Sequence, residues 1–387
     1  MDDGDTTEFE PRHEPRRPNS NTRYNTGHNT GHNTGYNTGY NKGRGALSNP
    51  GNRYARHSIA DFDDGWWRAE DIRSIATEVI EERVRTIITT NQSPDIPFDQ
   101  SINPYRGCEH GCIYCYARPS HAYWDMSPGL DFETRIVVKP GAADLLRTTL
   151  SNPRYQCKTI CIGANTDPYQ PLEARLGITR AILEVLQEFS HPFSLITKSA
   201  LILRDLDIIT DMAAKQLCTV AVSVTTLDND TKRRLEPRAA SPASRLRAIR
   251  ALSDAGVHVS MLVAPVIPMI NDVELEDILA AGKEAGASAA NYIFLRLPLE
   301  IAPMFREWLS EHYPDRAEHV MSLVRQSRGG RDYRSEFHTR MSAEGVFADL
   351  IRKRFNVAAK KLGFESDRRF VLDTSRFKRV NEQLSLF

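Results

Sequence analysis

Between residues 77 and 297, short apolar runs rich in β-branched residues alternate with amphipathic stretches of helical length. This alternation restricts the possible folds more than any other feature of the chain. Strands are expected over 98–103, 158–163, 193–197, 218–224, 257–263 and 290–295, with helices over 178–189, 201–214, 242–255 and 273–285. Gly256 and Gly286 stand where two of these helices give way to the next strand, the place of a C-cap glycine. Strand–helix–strand order implies parallel pairing, because parallel strands need long crossovers. The expected class is α/β, and in such sheets the chemistry gathers at the strands' C-terminal ends.

Just after the first expected strand come Cys108, Cys112 and Cys115, in Cys108-Glu109-His110-Gly111-Cys112-Ile113-Tyr114-Cys115. Cysteines at ligand spacing point to metal. A [4Fe–4S] cluster usually takes four thiolates, so three local ones leave one iron open, and an open position is what catalysis needs. A Cys3His zinc site with His110 is the alternative. Such sites usually pair a Cys-x2-Cys with a distant second pair, and His110 and Cys112 are too close in sequence to close a tetrahedron well. Three unlinked buried thiols are the blandest reading. Gly107 and Gly111, which free the backbone to wrap a bound group, argue against it.

The triplet, with an aromatic (Tyr114) just before its last cysteine, resembles the signature of the radical S-adenosylmethionine (SAM) enzymes. The resemblance implies an open, partial (βα)6 TIM-type barrel, fewer units than the eight of a closed barrel. It also implies a [4Fe–4S] cluster on Cys108, Cys112 and Cys115, whose free iron binds SAM and whose electron cleaves it to a 5′-deoxyadenosyl radical. Longer stretches are similar to a bacterial family related to spore photoproduct lyase: residues 93–98, 101–107, 116–119, 127–133, 166–171 and 235–238. In the lyase, a cysteine that returns a hydrogen atom lies three residues before the Asp of the second-strand motif. Here that position is Ala164, so the same relay is not expected. Cys157, Cys161 and Cys218 read as core.

SAM contacts are expected where polar residues follow the later strands. Thr166 and Asp167 follow the second strand, as acceptors for the SAM ammonium or as an Asp-Pro turn capping the next helix. Lys198 and Ser199 follow the third, Lys198 for the SAM carboxylate and Ser199 also as an N-cap. Ser223 and Thr225 share a face by alternation, within range of a ribose. Glu236 and Arg238 pair with each other or with the cofactor. Tyr114 and the apolar 264–268 segment suit adenine, and Arg296 ends the sixth strand.

The organisation expected is a disordered low-complexity tail over 1–54, a transition segment over 55–98, the barrel over 99–297, a helical basic extension over 298–380 and a flexible tail over 381–387. The first tail repeats Asn-Thr-Gly-His/Tyr, a composition too polar to offset chain entropy. The chain's net charge is zero, yet residues 325–379 carry 15 Lys+Arg against 7 Asp+Glu, an excess of eight. That surplus is compatible with nucleic acid or with a solvated helix face. The terminal Gln383, Leu384, Ser385, Leu386 and Phe387 resemble the peptide by which bacterial repair proteins bind the sliding clamp. The acidic start lacks a secretory signal, no apolar run reaches membrane length, and six cysteines in 387 residues are no disulfide framework. A cytoplasmic enzyme without a membrane partner is expected, served by a reductase or flavodoxin-type electron donor. Its substrate class leans to nucleic acid, as in DNA repair. The rivals are modification of tRNA or protein, and a non-catalytic clamp or nucleic-acid adaptor with a structural metal.

Overall fold

The computed structural model describes residues 43–54, 75–365 and 370–379. Its strands in chain order are β1 Glu78–Glu81, β2 Thr89–Thr90, β3 Gln100–Ile102, β4 Tyr105–Arg106, β5 Arg135–Val138, β6 Ile160–Ile162, β7 Phe193–Thr197, β8 Cys218–Ser223, β9 His258–Val266 and β10 Ala289–Phe294. Seven of them form one sheet in the order β10-β9-β8-β7-β6-β3-β2, and β1-β5-β4 form a second. In the large sheet each pair from β3 to β10 is parallel, and only β2 runs antiparallel. The result is a mixed α/β architecture on a parallel sheet, the arrangement of a partial TIM-type barrel.

The six parallel strands fall on the six apolar runs of the sequence. β9 runs three residues past its expected end at Val263, because Pro265 reads as a break yet sits in the strand. A register shift between Tyr292 and Phe294 accommodates the extension. Helices Ile178–Glu188, Leu206–Ala214, Pro242–Asp254 and Leu275–Glu284 supply the crossovers. Their apolar stripes (Ile182 and Leu186, Ile209 and Met212, Ile249 and Leu252, Ile278 and Leu279) pack in one core with Leu195, Val220, Val222, Val259 and Met261 of the strands. Burial alternates cleanly along β7, where Phe193, Leu195 and Thr197 point inward.

Among the described residues three α-helices follow β10, at Ile301–His312, Ala317–Gln326 and Val346–Lys361. The first two share a second core, in which Phe305, Trp308, Leu309, Val320 and Val324 pack with Ile113 and Tyr114 of the cysteine segment. Phe355 of the third returns to the sheet, its ring 4.8 Å from that of Tyr292. Residues 43–54 fall within the expected disordered tail but are tied down. Ala46 is fully buried, and Ser48 Oγ donates to Glu307 at 2.7 Å. Averaging composition over the tail masks these specific partners. The Asn-Thr-Gly repeats, Trp66, Trp67 and the clamp-like Gln383, Leu384, Ser385, Leu386 and Phe387 lie outside the described residues. Among the described residues no helix is long and apolar enough to cross a membrane.

The helix Pro242–Asp254 ends in a C-cap of the expected kind. Gly256 takes φ +79°, and Val257 N donates to Leu252 O at 3.0 Å. No atom lies within 4 Å of a Cβ placed on Gly256, so a side chain there meets only backbone strain. Gly256→Ala is therefore expected to lower the unfolding free energy by about 1 kcal/mol in urea titration, with the slope unchanged. An unchanged midpoint would contradict the cap.

Candidate active site

The cysteine segment has little secondary structure of its own and is held by long-range bonds. Cys108 N donates to Phe132 O at 2.9 Å, Ile113 N to Leu235 O at 3.1 Å, and Arg238 N to His110 O at 3.2 Å. Gly111 has φ +68°, and a Cβ on it would stand 2.7 Å from the Glu133 carboxylate. Glu133, fully buried, accepts from the N–H groups of Gly45 (2.9 Å) and Ala46 (2.8 Å) and from Arg118 Nη2 at 2.5 Å. Arg118, also fully buried, gives its other donors to the carbonyls of Cys112 (2.9 Å), Pro128 (3.1 Å) and Gly129 (2.9 Å). A guanidinium and a carboxylate thus satisfy each other and the loop's backbone.

The three cysteines line one cavity of about 210 Å³. Its remaining walls are the C-terminal ends of strands: Ala164 to Asp167 after β6, Thr197 and Lys198 at the end of β7, Ser223 of β8, Ala264 and Pro265 of β9, and Phe294 and Arg296 at the end of β10. Tyr114, Thr166, Asp167, Lys198 and Ser223 were all expected at the site and line this cavity. Ser199, Thr225, Glu236 and Arg238 do not. Ser199 caps the helix that follows, accepting from Leu201 N at 3.2 Å. β8 ends at Ser223, so the alternation that would place Thr225 beside it stops there. Thr225 Oγ1 instead donates to Glu236 Oε1 at 2.7 Å.

The expected Glu236–Arg238 pair does not form. Arg238 reaches Glu109 at 3.1 Å, while Glu236 pairs with Arg245, which is buried on the helix Pro242–Asp254. Tyr114 Oη also donates to Glu236, and Lys198 Nζ lies 3.8 Å from it. Burial presses the Glu236 carboxyl towards a higher pKa. The charges of Arg245 and Lys198, with hydrogen bonds from Arg245 and Tyr114, win and hold it at about 2. Sequence reasoning missed Arg245. Its signal is an arginine in the apolar stripe Arg245, Ala248, Ile249 and Leu252.

Asp167 uses its acceptors within the protein. Oδ1 takes Thr197 Oγ1 (2.7 Å) and Tyr169 N (2.9 Å), while Oδ2 takes Lys198 N (2.7 Å) and faces His110 Nδ1 at 3.3 Å. It therefore fixes the end of β7. Thr166 Oγ1 donates to Tyr105 O at 2.7 Å. Lys198 Nζ donates to Ala264 O at 3.2 Å and faces the Tyr114 ring at 5.8 Å.

The donor set suits a large, electron-rich metal group. Cys108 and Cys112 are buried and Cys115 half-buried, all as free thiols. Burial pushes all three thiols above the ordinary cysteine range, and Asp167 adds to this at Cys108 as Glu236 does at Cys112. Thiolates there need the positive charge of bound metal. Among the described residues no three His, Cys, Asp or Glu side chains converge on a single ion. What the thiols share is a wall of one cavity.

Residues 102–281 match the model of the Radical SAM superfamily. Over 233 residues the chain is 36% identical to an uncharacterized protein of Mycobacterium tuberculosis (strain ATCC 25618 / H37Rv), covering 60% of this chain and 68% of that one. It is 27% identical over 241 residues to one from Methanocaldococcus jannaschii, covering 62% and 86%. A spore photoproduct lyase mutant solved with bound AdoMet and dinucleoside spore photoproduct shares the fold, with a TM-score of 0.52 at 14% identity over 74% of this chain and 80% of that one. The chain belongs to the radical SAM superfamily. It is a radical SAM enzyme, and its cofactors are those of the superfamily, a [4Fe–4S] cluster and SAM.

The Glu236 pair sets an acid limb of stability. The folded carboxyl titrates near 2, below the 4.5 of a free one, so the unfolded chain binds the proton first as pH falls. The contribution is complete above pH 4.5 and is lost as pH drops towards 2. Glu236→Gln strands the Arg245 charge and is expected to cost about 3 to 5 kcal/mol at neutral pH. It should also flatten the acid limb in unfolding titrations across pH. A variant as stable as the parent would contradict the pairing.

Proposed function

We propose that Cys108, Cys112 and Cys115 hold the [4Fe–4S] cluster on an open (βα)6 barrel, and that the enzyme acts on a nucleic-acid substrate in a repair-like reaction. The observation behind this reading is the convergence of three thiols and the ends of five parallel strands on one cavity. When bound, the cluster and SAM supply a 5′-deoxyadenosyl radical that abstracts a hydrogen atom from the substrate.

The chain's own residues have separate tasks. Lys198 offers its ammonium to the SAM carboxylate, and Ser223 its hydroxyl to the ribose. Tyr114 and Pro265 form the apolar walls around adenine. Glu236 acts through Tyr114 and Lys198, which it holds in place, while Thr225 steadies Glu236. Asp167 and Ser199 fix the chain around Lys198, Thr166 ties the turn after β6 to Tyr105, and Arg238 ties the loop through Glu109. Burial around the thiols keeps water from the radical.

Two observations favour nucleic acid: the basic excess over residues 325–379 and the fold shared with a lyase solved with a dinucleoside photoproduct. The barrel over 99–297 and the helical basic extension over 298–380 are the parts this reading assigns to chemistry and to substrate. A reductase or flavodoxin-type donor and a sliding clamp engaged by Gln383 to Phe387 belong to the same proposal and rest on sequence.

Anaerobic reconstitution of the wild-type chain is expected to incorporate about four iron atoms with matching sulfide, giving a charge-transfer band in the visible. Cys108→Ala, Cys112→Ala and Cys115→Ala should each lose most of that iron, whereas Cys161→Ala should keep it. Assays on lesion-bearing DNA, tRNA and peptide then decide the substrate, and turnover confined to tRNA or peptide would overturn the nucleic-acid repair assignment. Stoichiometric zinc without sulfide would overturn the cluster.

A further inference from the structure

Arg296, at the end of β10 on the cavity wall, has no carboxylate partner among the described residues. Its Nη1 donates to the Met341 thioether at 2.9 Å, Nη2 reaches the Tyr333 hydroxyl at 3.5 Å, and the buried Nε has no acceptor. A thioether is a weak acceptor, and 3.5 Å is the limit of a hydrogen bond. By contrast Arg118 and Arg245, buried beside the cysteine segment, each close on a carboxylate.

The loop over 327–345 brings Tyr333 and Met341 to this point, and Arg328 pins it there. Arg328 is 1% exposed, and its guanidinium donates to the carbonyls of Leu295 (2.9 Å), Phe294 (3.3 Å), Arg340 (3.3 Å) and Ser342. Carbonyls do not cancel its charge. Burial and the neighbouring Arg296 lower the Arg328 pKa to about 10. Two cations therefore stand at one strand end and neither is in an ion pair with a carboxylate among the described residues, although Glu344 lies near enough to Arg328 to offset part of this lowering. The Arg296 guanidinium carbon lies 5.1 Å from the Tyr116 ring centroid and 6.0 Å from that of Tyr333, and Tyr116 is 46% exposed.

We propose that Arg296, between Tyr116 and Tyr333, is the substrate's anion subsite and takes a backbone phosphodiester of a single-stranded or unstacked nucleic acid. A planar guanidinium matches phosphate oxygens with two parallel bonds, and phosphate displaces weak contacts such as those to Met341 and Tyr333. An exposed aromatic beside a cation is the combination that binds unstacked strands, because each base has a face to stack. A carboxylate would satisfy the guanidinium as well, but every nucleotide carries beside its phosphate a flat base for the ring. The subsite rests on the nucleic-acid reading above and gives it a location at the mouth of the cavity.

The test is fluorescence anisotropy of a short labelled single-stranded oligodeoxynucleotide with the reconstituted full chain across a salt series. Arg296→Gln is expected to weaken binding about tenfold and to lower the log–log salt slope by about one. Arg296→Lys should keep the slope yet bind more weakly than wild type, because a point charge lacks the fork. If the Gln variant fails to fold, the Lys variant decides, and wild-type affinity in it would overturn the subsite. So would wild-type affinity and slope in Arg296→Gln, absence of oligonucleotide binding by the wild type, or preference for an acidic peptide. 5′-Deoxyadenosine formation by the wild type is measured separately. Its failure removes the proposed cleavage of SAM and leaves the binding result standing, and its success beside unaltered Arg296→Gln binding removes only the subsite.

Discussion

A loop of glycines and turns cannot present three thiols to one cavity unless something outside it fixes its shape, and here two buried carboxylates do so. Glu133 gathers Arg118 and the backbone of residues 45 and 46, and through Arg118 it reaches the carbonyl of Cys112. Glu236 gathers Arg245, Tyr114 and Thr225 on another flank. Each pair is costly to bury and costlier to break, since a lone charge would remain inside. The loop is thereby shaped before any cofactor arrives, as a precise site requires. The segment 43–54 shares in this. Gly45 approaches Gly111 so closely that a Cβ on Gly45 would overlap the Gly111 carbonyl oxygen, 1.7 Å away.

The parallel sheet accounts for the remaining walls. Crossovers return each strand in the same direction, so all the C-terminal ends open on one side and deliver short polar turns to the same space. Apolar packing of helices on the sheet makes these ends rigid, and the loops beyond them are free to vary in chemistry. The C-terminal helices contribute in two ways. Trp308 and its neighbours back the cysteine segment, and the loop before Val346–Lys361 carries Tyr333 and Met341 to the end of β10.

Much of this is legible in the sequence because it is local. The period of apolar residues marks the six parallel strands and their helices, the glycine at 256 marks a helix end, and ligand spacing marks the thiols. Lys198, Thr166, Asp167 and Ser223 follow from their places at strand ends. The parts that escape are those whose partners lie far along the chain. Arg118 and Glu133 lie in two of the stretches that carry the family resemblance, but nothing local marks them as a buried pair. Glu236 could pair with Arg238, two residues away, but the helix Pro242–Asp254 brings Arg245 to it and Arg238 turns to Glu109. The small sheet β1-β5-β4 escapes because its strands have four residues or fewer and no helical rhythm between them.

The central claim, that three thiols in this cavity support reductive cleavage of SAM, is tested most directly by incubating the anaerobically reconstituted chain with dithionite and SAM and measuring 5′-deoxyadenosine. The account predicts its formation by the wild-type chain and its loss when Cys112 is replaced by alanine. A fully loaded cluster that yields none, or equal yield from Cys112→Ala, would contradict it.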